Sequence, residues 1–344
     1  MKIKEKNSII TKIFLFLSKQ SRERSIVNWI AIILASLALL PLINLIIEGI
    51  RGLNNQSFLS LDAYKQIKGT VSLLFFTSLL GGTIGTANGW LLANCRFSGR
   101  KLLRIAQLLP LATPAYLLSA TLIDLGSINS IRIYGISWGI LIMSLTTYPY
   151  VFLLSTESFS IAGKKQLEAC RSLGVGPWKS FFRIGLPIAI PSIGAGISLM
   201  GMEVLNELGA VQLLNIPTIS AGIVENWMSE NNPAGAINLA LIALIIVFGL
   251  IATERLLRRR SRRWTQNESG IESYKWELKG IRAIIAQLLA GVPPLITLGI
   301  PIIWVLVNVD QLKKGLDSDI FALTFRSLGI GLTAATLTII FALF

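Results

Sequence analysis

The chain has 344 residues, 53% of them hydrophobic and only 15% charged, with a formal net charge of +14, two cysteines and no histidine. A soluble domain carries about 25% charged residues, so composition already argues against one. With Cys95 and Cys170 as the only thiols and no imidazole, no zinc-type ligand set can be assembled and a metal-dependent active site is disfavoured.

The apolar residues lie in blocks of the length that a ~30 Å hydrocarbon core requires at 1.5 Å per helical residue. Eight spans are predicted in chain order: Trp29–Ile47, Val71–Ala93, Ile105–Ile123, Gly135–Ser155, Ile188–Gly209, Ala234–Ala252, Gln287–Asn308 and Phe321–Phe344. Prolines fall inside several of them, at 41, 110, 114 and 149. The expected fold class is all-α, a polytopic transmembrane helical bundle. Ile9–Leu17 is too short, and too interrupted by Lys12, to be a signal peptide. The last span runs to Phe344 without a polar cap, which leads us to expect a truncated chain.

Basic residues set the orientation. With the N-terminus (1–28) in the cytoplasm, 25 of the 32 Lys and Arg fall on inside segments, six fall on outside loops, and Arg326 lies within the last span. The run Arg258-Arg259-Arg260-Ser261-Arg262-Arg263 alone holds the end of the sixth span inside. Because these charges sit between apolar blocks, they read as membrane orientation and contact with lipid, not as a nucleic-acid surface. Both cysteines fall on the cytoplasmic side, where thiols stay reduced.

The inside segment 157–187 holds the most informative stretch. Leu167–Leu173 is predicted as a short helix ended by Gly174, which supplies a left-handed residue. Gly176-Pro177 starts a second short helix, with Trp178, Phe181, Phe182 and Ile184 on an apolar side and Lys179 and Arg183 on a basic one; Leu186-Pro187 is expected to end it. The result is a helix-turn-helix lying flat on the cytoplasmic face.

Glu168-Ala169-Cys170, three residues, Gly174, nine residues, then Ile184-Gly185-Leu186-Pro187 resembles the signature loop of ABC-importer permeases. That pattern is Glu-Ala-Ala, three residues, Gly, nine residues, Ile, any residue, Leu-Pro; only Cys170 departs from it. The resemblance implies a type I importer permease fold in the inner membrane and a loop that docks on a separate, paired ABC ATPase. ATP would bind that partner, since this chain has no Gly-x-x-x-x-Gly-Lys-Ser/Thr motif and is expected to be no enzyme and to carry no cofactor of its own. The coupling residues implied are Glu168, Ala169, Cys170, Gly174, Ile184, Leu186 and Pro187. The resemblance also implies an external solute-binding protein as a partner.

Leu109–Ala120 (LPLATPAYLLSA), Thr147-Tyr148-Pro149-Tyr150, Glu203–Val211, Pro217-Thr218 and Gly222-Ile223 are similar to the fused two-half ferric-iron permeases. This implies a first six-span core over 29–253, a basic cytoplasmic linker over 254–286, and the first two spans of a second core over 287–344. A faint repeat of Phe76-Thr77-Ser78-Leu79 in Phe325-Arg326-Ser327-Leu328 points the same way. Relatives that move thiamine, polyamines or other small solutes share the loop, so these substrates remain alternatives. An ATP-independent transporter would explain the spans but not the loop.

Glu203 and Glu207 are expected one turn apart on one helix face, with Asn206 nearby. Carboxylates in a span are costly and usually face water or the bundle interior, and their oxygens suit a hard cation. These three residues either line the outer part of a cation path or sit at the membrane edge near a gate or the binding protein; no metal site is fixed. The outer loop Ala210–Pro233 carries Glu225 and Glu230 and no Lys or Arg.

Overall fold

The computed structural model describes residues 39–51, 61–161, 172–262, 275–309 and 318–343, with helical positions also at 29, 33, 36, 37, 168 and 170. Among the described residues, six helices are long and apolar enough to cross a membrane, and one bent pair makes a seventh span if its halves are counted together. Part of the predicted first span is helical at 39–51 (α1). The last helix, α11 (Ser318–Leu343), covers the predicted eighth span up to Leu343, and Phe344 lies outside the described residues. Both fall outside the compact unit formed by Gly52–Asn308.

That unit is built from α2 (Leu61–Asn94), α3 (Arg100–Ala106), α4 (Ala115–Ile128), α5 (Ile136–Ile161), α6 (Pro177–Asn206), two short helices, α7 (Gly209–Leu213) and α8 (Ile219–Val224), then α9 (Pro233–Arg262) and α10 (Ile281–Val307). Chains of contact run from α2 to α5, α5 to α6, and α6 to α9. Lipid tails are as apolar as leucine, so helices in a membrane associate through close backbone approach. Here Gly81, Gly85 and Gly89 supply it at four-residue spacing on the buried face of α2. A Cβ on Gly85 would stand 2.8 Å from the Tyr148 carbonyl oxygen of α5, and one on Gly89 would stand 2.3 Å from Ser155 Oγ.

Three sequence expectations need correction. The third span is not one straight helix: Arg100–Ala112 and Ala115–Ile128 meet at 87°. Pro114 is the cause. The residue before a proline is pushed out of the helical region, and Thr113 is extended at φ −104°, ψ 105°.

The fifth span does not begin at Ile188. The second short helix of the 168–187 loop runs straight into it, so Leu186-Pro187 does not end that helix. A π-helical turn over Phe181–Gly185 precedes Pro187, and the wider turn makes room for a ring that would otherwise meet the carbonyl four residues back.

The stretch after α6, expected as an outside loop, is largely folded into the core. Val211, Leu214, Ile216 and Ile219 are buried in and around α7 and α8. Asn215 turns the chain at φ +53°, the Leu214 carbonyl accepts from the Gly135 N–H at 2.7 Å, and Thr70 Oγ1 accepts from the Ile219 N–H at 2.8 Å.

The linker between α9 and α10 is also anchored. Trp276–Glu277 forms a two-residue parallel ladder with Cys95–Arg96, and the Leu278 N–H donates to the Arg96 carbonyl at 2.9 Å. Residues 95–97 and 276–278 therefore share one end of the bundle, as the basic-residue count requires. A buried polar relay holds α10 within the unit. Asn88 Nδ2 donates to Gln107 Oε1 at 3.0 Å, and Gln107 Nε2 donates to the Ala290 carbonyl. Further along, Trp304 Nε1 donates to an Asp124 carboxylate oxygen at 2.6 Å.

Candidate functional site: a capped turn at the basic end

Glu168, Cys170 and Ser172 are helical, and Gly174 follows in the left-handed region at φ +71°. The Val175 N–H donates to the Cys170 carbonyl at 2.9 Å. A bond spanning five residues across a left-handed glycine is the Schellman closure of a helix end. Ser172 Oγ adds a bond to the Glu168 carbonyl at 3.1 Å. A Cβ on Gly174 would meet nothing within 4 Å, so backbone conformation alone, not space, calls for glycine here. Ala169 lies outside the described residues.

After the turn, Pro177 opens α6, where its missing N–H costs nothing. Leu173, Trp178 and Phe182 are exposed, at 81%, 62% and 62%. The turn thus presents apolar side chains rather than burying them, and Trp178 and Phe182 stand within a stretch apolar enough to cross a membrane.

Three other loop residues point the other way. Phe181 is buried, and Ile184 and Leu186 pack against a cluster of Trp90, Ala93, Phe159 and Ala189. Trp90 meets Phe159 edge-on at 5.3 Å and Phe181 at 5.2 Å. Gly185 leaves space for that indole: a Cβ there would stand 2.6 Å from its ring. Pro187 is exposed. Glu168, Cys170 and Gly174 therefore form the turn, while Ile184 and Leu186 root it in the bundle. Sequence reading missed Trp90, whose only signal was a lone indole near the end of an apolar span.

Glu203, Asn206 and Glu207 belong to the far end of α6 and take no part in this turn. Their expected common face is not formed. The helix stops at Asn206, and Glu207 is extended at φ −70°, ψ 123°. Its Oε1 accepts from the Ala210 N–H at 2.9 Å, capping the first turn of α7. Glu203 is exposed and accepts a long bond from Tyr150 Oη at 3.4 Å; Asn206 is exposed. No group of three or more Cys, Asp or Glu side chains among the described residues is placed to hold a metal ion.

A left-handed glycine cap leading into a helix long and apolar enough to cross a membrane, within a largely helical bundle, defines a multi-span membrane protein. The chain belongs to the family of binding-protein-dependent transport system inner membrane components, whose pattern matches residues 85–264, just over half its length. It is 32% identical over 157 residues to the sulfate transport system permease protein CysT of Escherichia coli (strain K12), covering 42% of this chain and 56% of that one. It is 30% identical over 150 residues to the Fe(3+)-transport system permease protein FbpB 2 of Haemophilus influenzae, covering 43% and 29%. It is 31% identical over 134 residues to the molybdenum transport system permease protein ModB of Escherichia coli (strain K12), covering 35% and 58%. The chain thus spans little more than half the length of the CysT and ModB proteins it matches.

Among solved structures, a bacterial alginate ABC transporter in complex with an alginate pentasaccharide-bound periplasmic protein aligns with TM-score 0.52 at 15% identity, covering 71% of this chain and 97% of that one. The inward-facing MetNI methionine ABC transporter aligns with TM-score 0.50 at 15% identity, covering 59% and 99%. The fold is that of the type I ABC importer permeases. Likeness to an iron permease stands beside likenesses to sulfate and molybdenum permeases.

Proposed function

We propose that the chain is the membrane-spanning permease subunit of an ATP-driven importer, coupled through residues 168–187 to a separate pair of ATPase subunits and supplied by an external binding protein. The observation that carries this reading is the Gly174-capped turn, which holds Leu173 and Trp178 exposed at the basic end of the bundle. In this reading the basic end and the N-terminus are cytoplasmic in the inner membrane, and α10 and α11 open a second permease core. Co-purification tests it: a tagged chain should bring down the ATPase subunits, and uptake should cease when they are deleted. Uptake that survives their loss would favour an ATP-independent transporter.

For the substrate we propose ferric iron. Glu203 beside Tyr150 offers hard oxygen ligands near the acidic end, and residues 210–233 carry Glu225 and Glu230 with no Lys or Arg. An oxyanion would be repelled by that surface. Sulfate is the second reading, favoured by the longer coverage of CysT. Labelled iron uptake should resist excess sulfate, thiamine and polyamine and should fall in Glu203→Gln. Competition by sulfate instead would transfer the assignment to the oxyanion.

A further inference from the structure

The coupling reading makes no use of the linker before α10, yet the linker reaches the same aromatic cluster. Trp276 stacks on Trp90 at 5.8 Å with planes inclined 37°, and Trp90 touches Phe181, the first residue of the π-helical turn in α6. Trp276 is therefore two ring contacts from the helix that carries the turn.

The same residue also packs against a second cluster. That cluster joins Leu91, Leu92, Cys95 and Phe97 to Ala286 and Ala290 of α10, with Leu278 and Ala283 beside them. Its register is fixed by the ladder to Cys95–Arg96 and by the Leu278 N–H bond. Gln287 Nε2 donates to the Ser98 carbonyl at 3.1 Å, extending the attachment into α10. A linker between spans usually runs solvated over the surface; this one is tied by backbone and by rings.

We infer that Lys275–Leu278 is a strap that fixes the start of α10 to the base of α6, with Trp276 as its positioning residue, so that displacement of the 168–187 turn is passed to α10 as well as to α6. The inference rests on the coupling reading above.

The strap covers Cys95, which is 2% exposed, whereas Cys170 on the turn is partly exposed. The test is peptide-resolved labelling of the full chain in membranes with a permeant maleimide, using Cys170 as the internal reference. Cys95 should label at least about tenfold more slowly than Cys170, since it must await local opening. Trp276→Ala should abolish most of that protection, and Trp276→Phe should keep it. Leu278→Pro, which removes the ladder N–H while leaving the indole, should act as Trp276→Ala does.

In cells that contain the partner ATPase, uptake per ATP hydrolysed should fall by about fivefold in Trp276→Ala and recover in Trp276→Phe, a size typical of residues that carry coupling. Unchanged Cys95 protection in both Trp276→Ala and Leu278→Pro overturns the strap. Lost protection with an unchanged uptake ratio overturns the positioning role. Gly174→Val is run alongside: if it too leaves uptake and ATPase binding untouched, the coupling reading has failed, and the labelling result then shows whether the strap contact fell with it.

Discussion

Substituting Gly174 isolates backbone conformation from packing. At φ +71°, with open space where a Cβ would stand, a side chain clashes with nothing but its own backbone. The left-handed conformation then costs an L-residue roughly 1–2 kcal/mol, more for a β-branched one. That reduces the population of the closed turn by about five- to thirtyfold, and the Val175 to Cys170 bond goes with it. ATPase binding and uptake should fall in the order Gly, Asn, Ala, Val, because Asn tolerates the left-handed region. Gly176, at φ −68° and also in open space, is the control: Gly176→Ala should be nearly silent. The thermal stability of the bundle should not move in any of these variants. A Gly174→Val chain that binds ATPase and transports normally would refute the argument, and so would Asn performing as badly as Val.

Gly85→Leu should be far more damaging to the chain itself. The added side chain meets the Tyr148 carbonyl and Val151 of α5, an overpacking that typically costs about 1–3 kcal/mol; detergent melting should drop and folded yield should fall. Gln107→Leu strands Asn88 Nδ2 and the Ala290 carbonyl, so stability should fall by about 1–3 kcal/mol in the same assay, whereas Gln107→Glu keeps an acceptor for Asn88. Burial pushes the Cys95 thiol up to about 11 from its ordinary 9.0. The unfolded chain therefore loses this proton first as pH rises, so Cys95 lowers stability progressively from pH 9 to 11. Cys95→Ser should flatten that part of a melting-versus-pH curve, and a curve unchanged by the substitution would contradict the burial argument.

The spans were legible because length and hydropathy are local properties. Val71–Ala93 lies wholly inside α2, and Gly135–Ser155 inside α5 apart from its first residue. The Gly174 turn was legible for the same reason: its glycine, its proline and its spacing sit within 20 residues. What escaped was long-range. A proline in a membrane helix can be absorbed or can break it, and nothing near Pro149 and Pro114 says which; α5 continues through the first and the third span folds at the second. The α7–α8 segment looked like a loop because it is short and interrupted by Asn215 and Pro217, yet its apolar residues fill the core between α4 and α5. The pairing of Cys95 with Trp276 and of Gln107 with Ala290 joins residues more than 180 positions apart, and no periodicity records that.

The unbroken course of α6 sets how movement travels. Thirty residues from Pro177 to Asn206 make a beam about 45 Å long at 1.5 Å per residue. A seesaw tilt of ~10° about its midpoint would carry each tip through roughly 4 Å in opposite directions. Had Leu186-Pro187 broken the helix, a joint there would have absorbed such a tilt. Instead Trp178 at one tip and Glu203 near the other are bound to a single stroke, so a push on the turn reaches the Tyr150–Glu203 pair with its sense reversed.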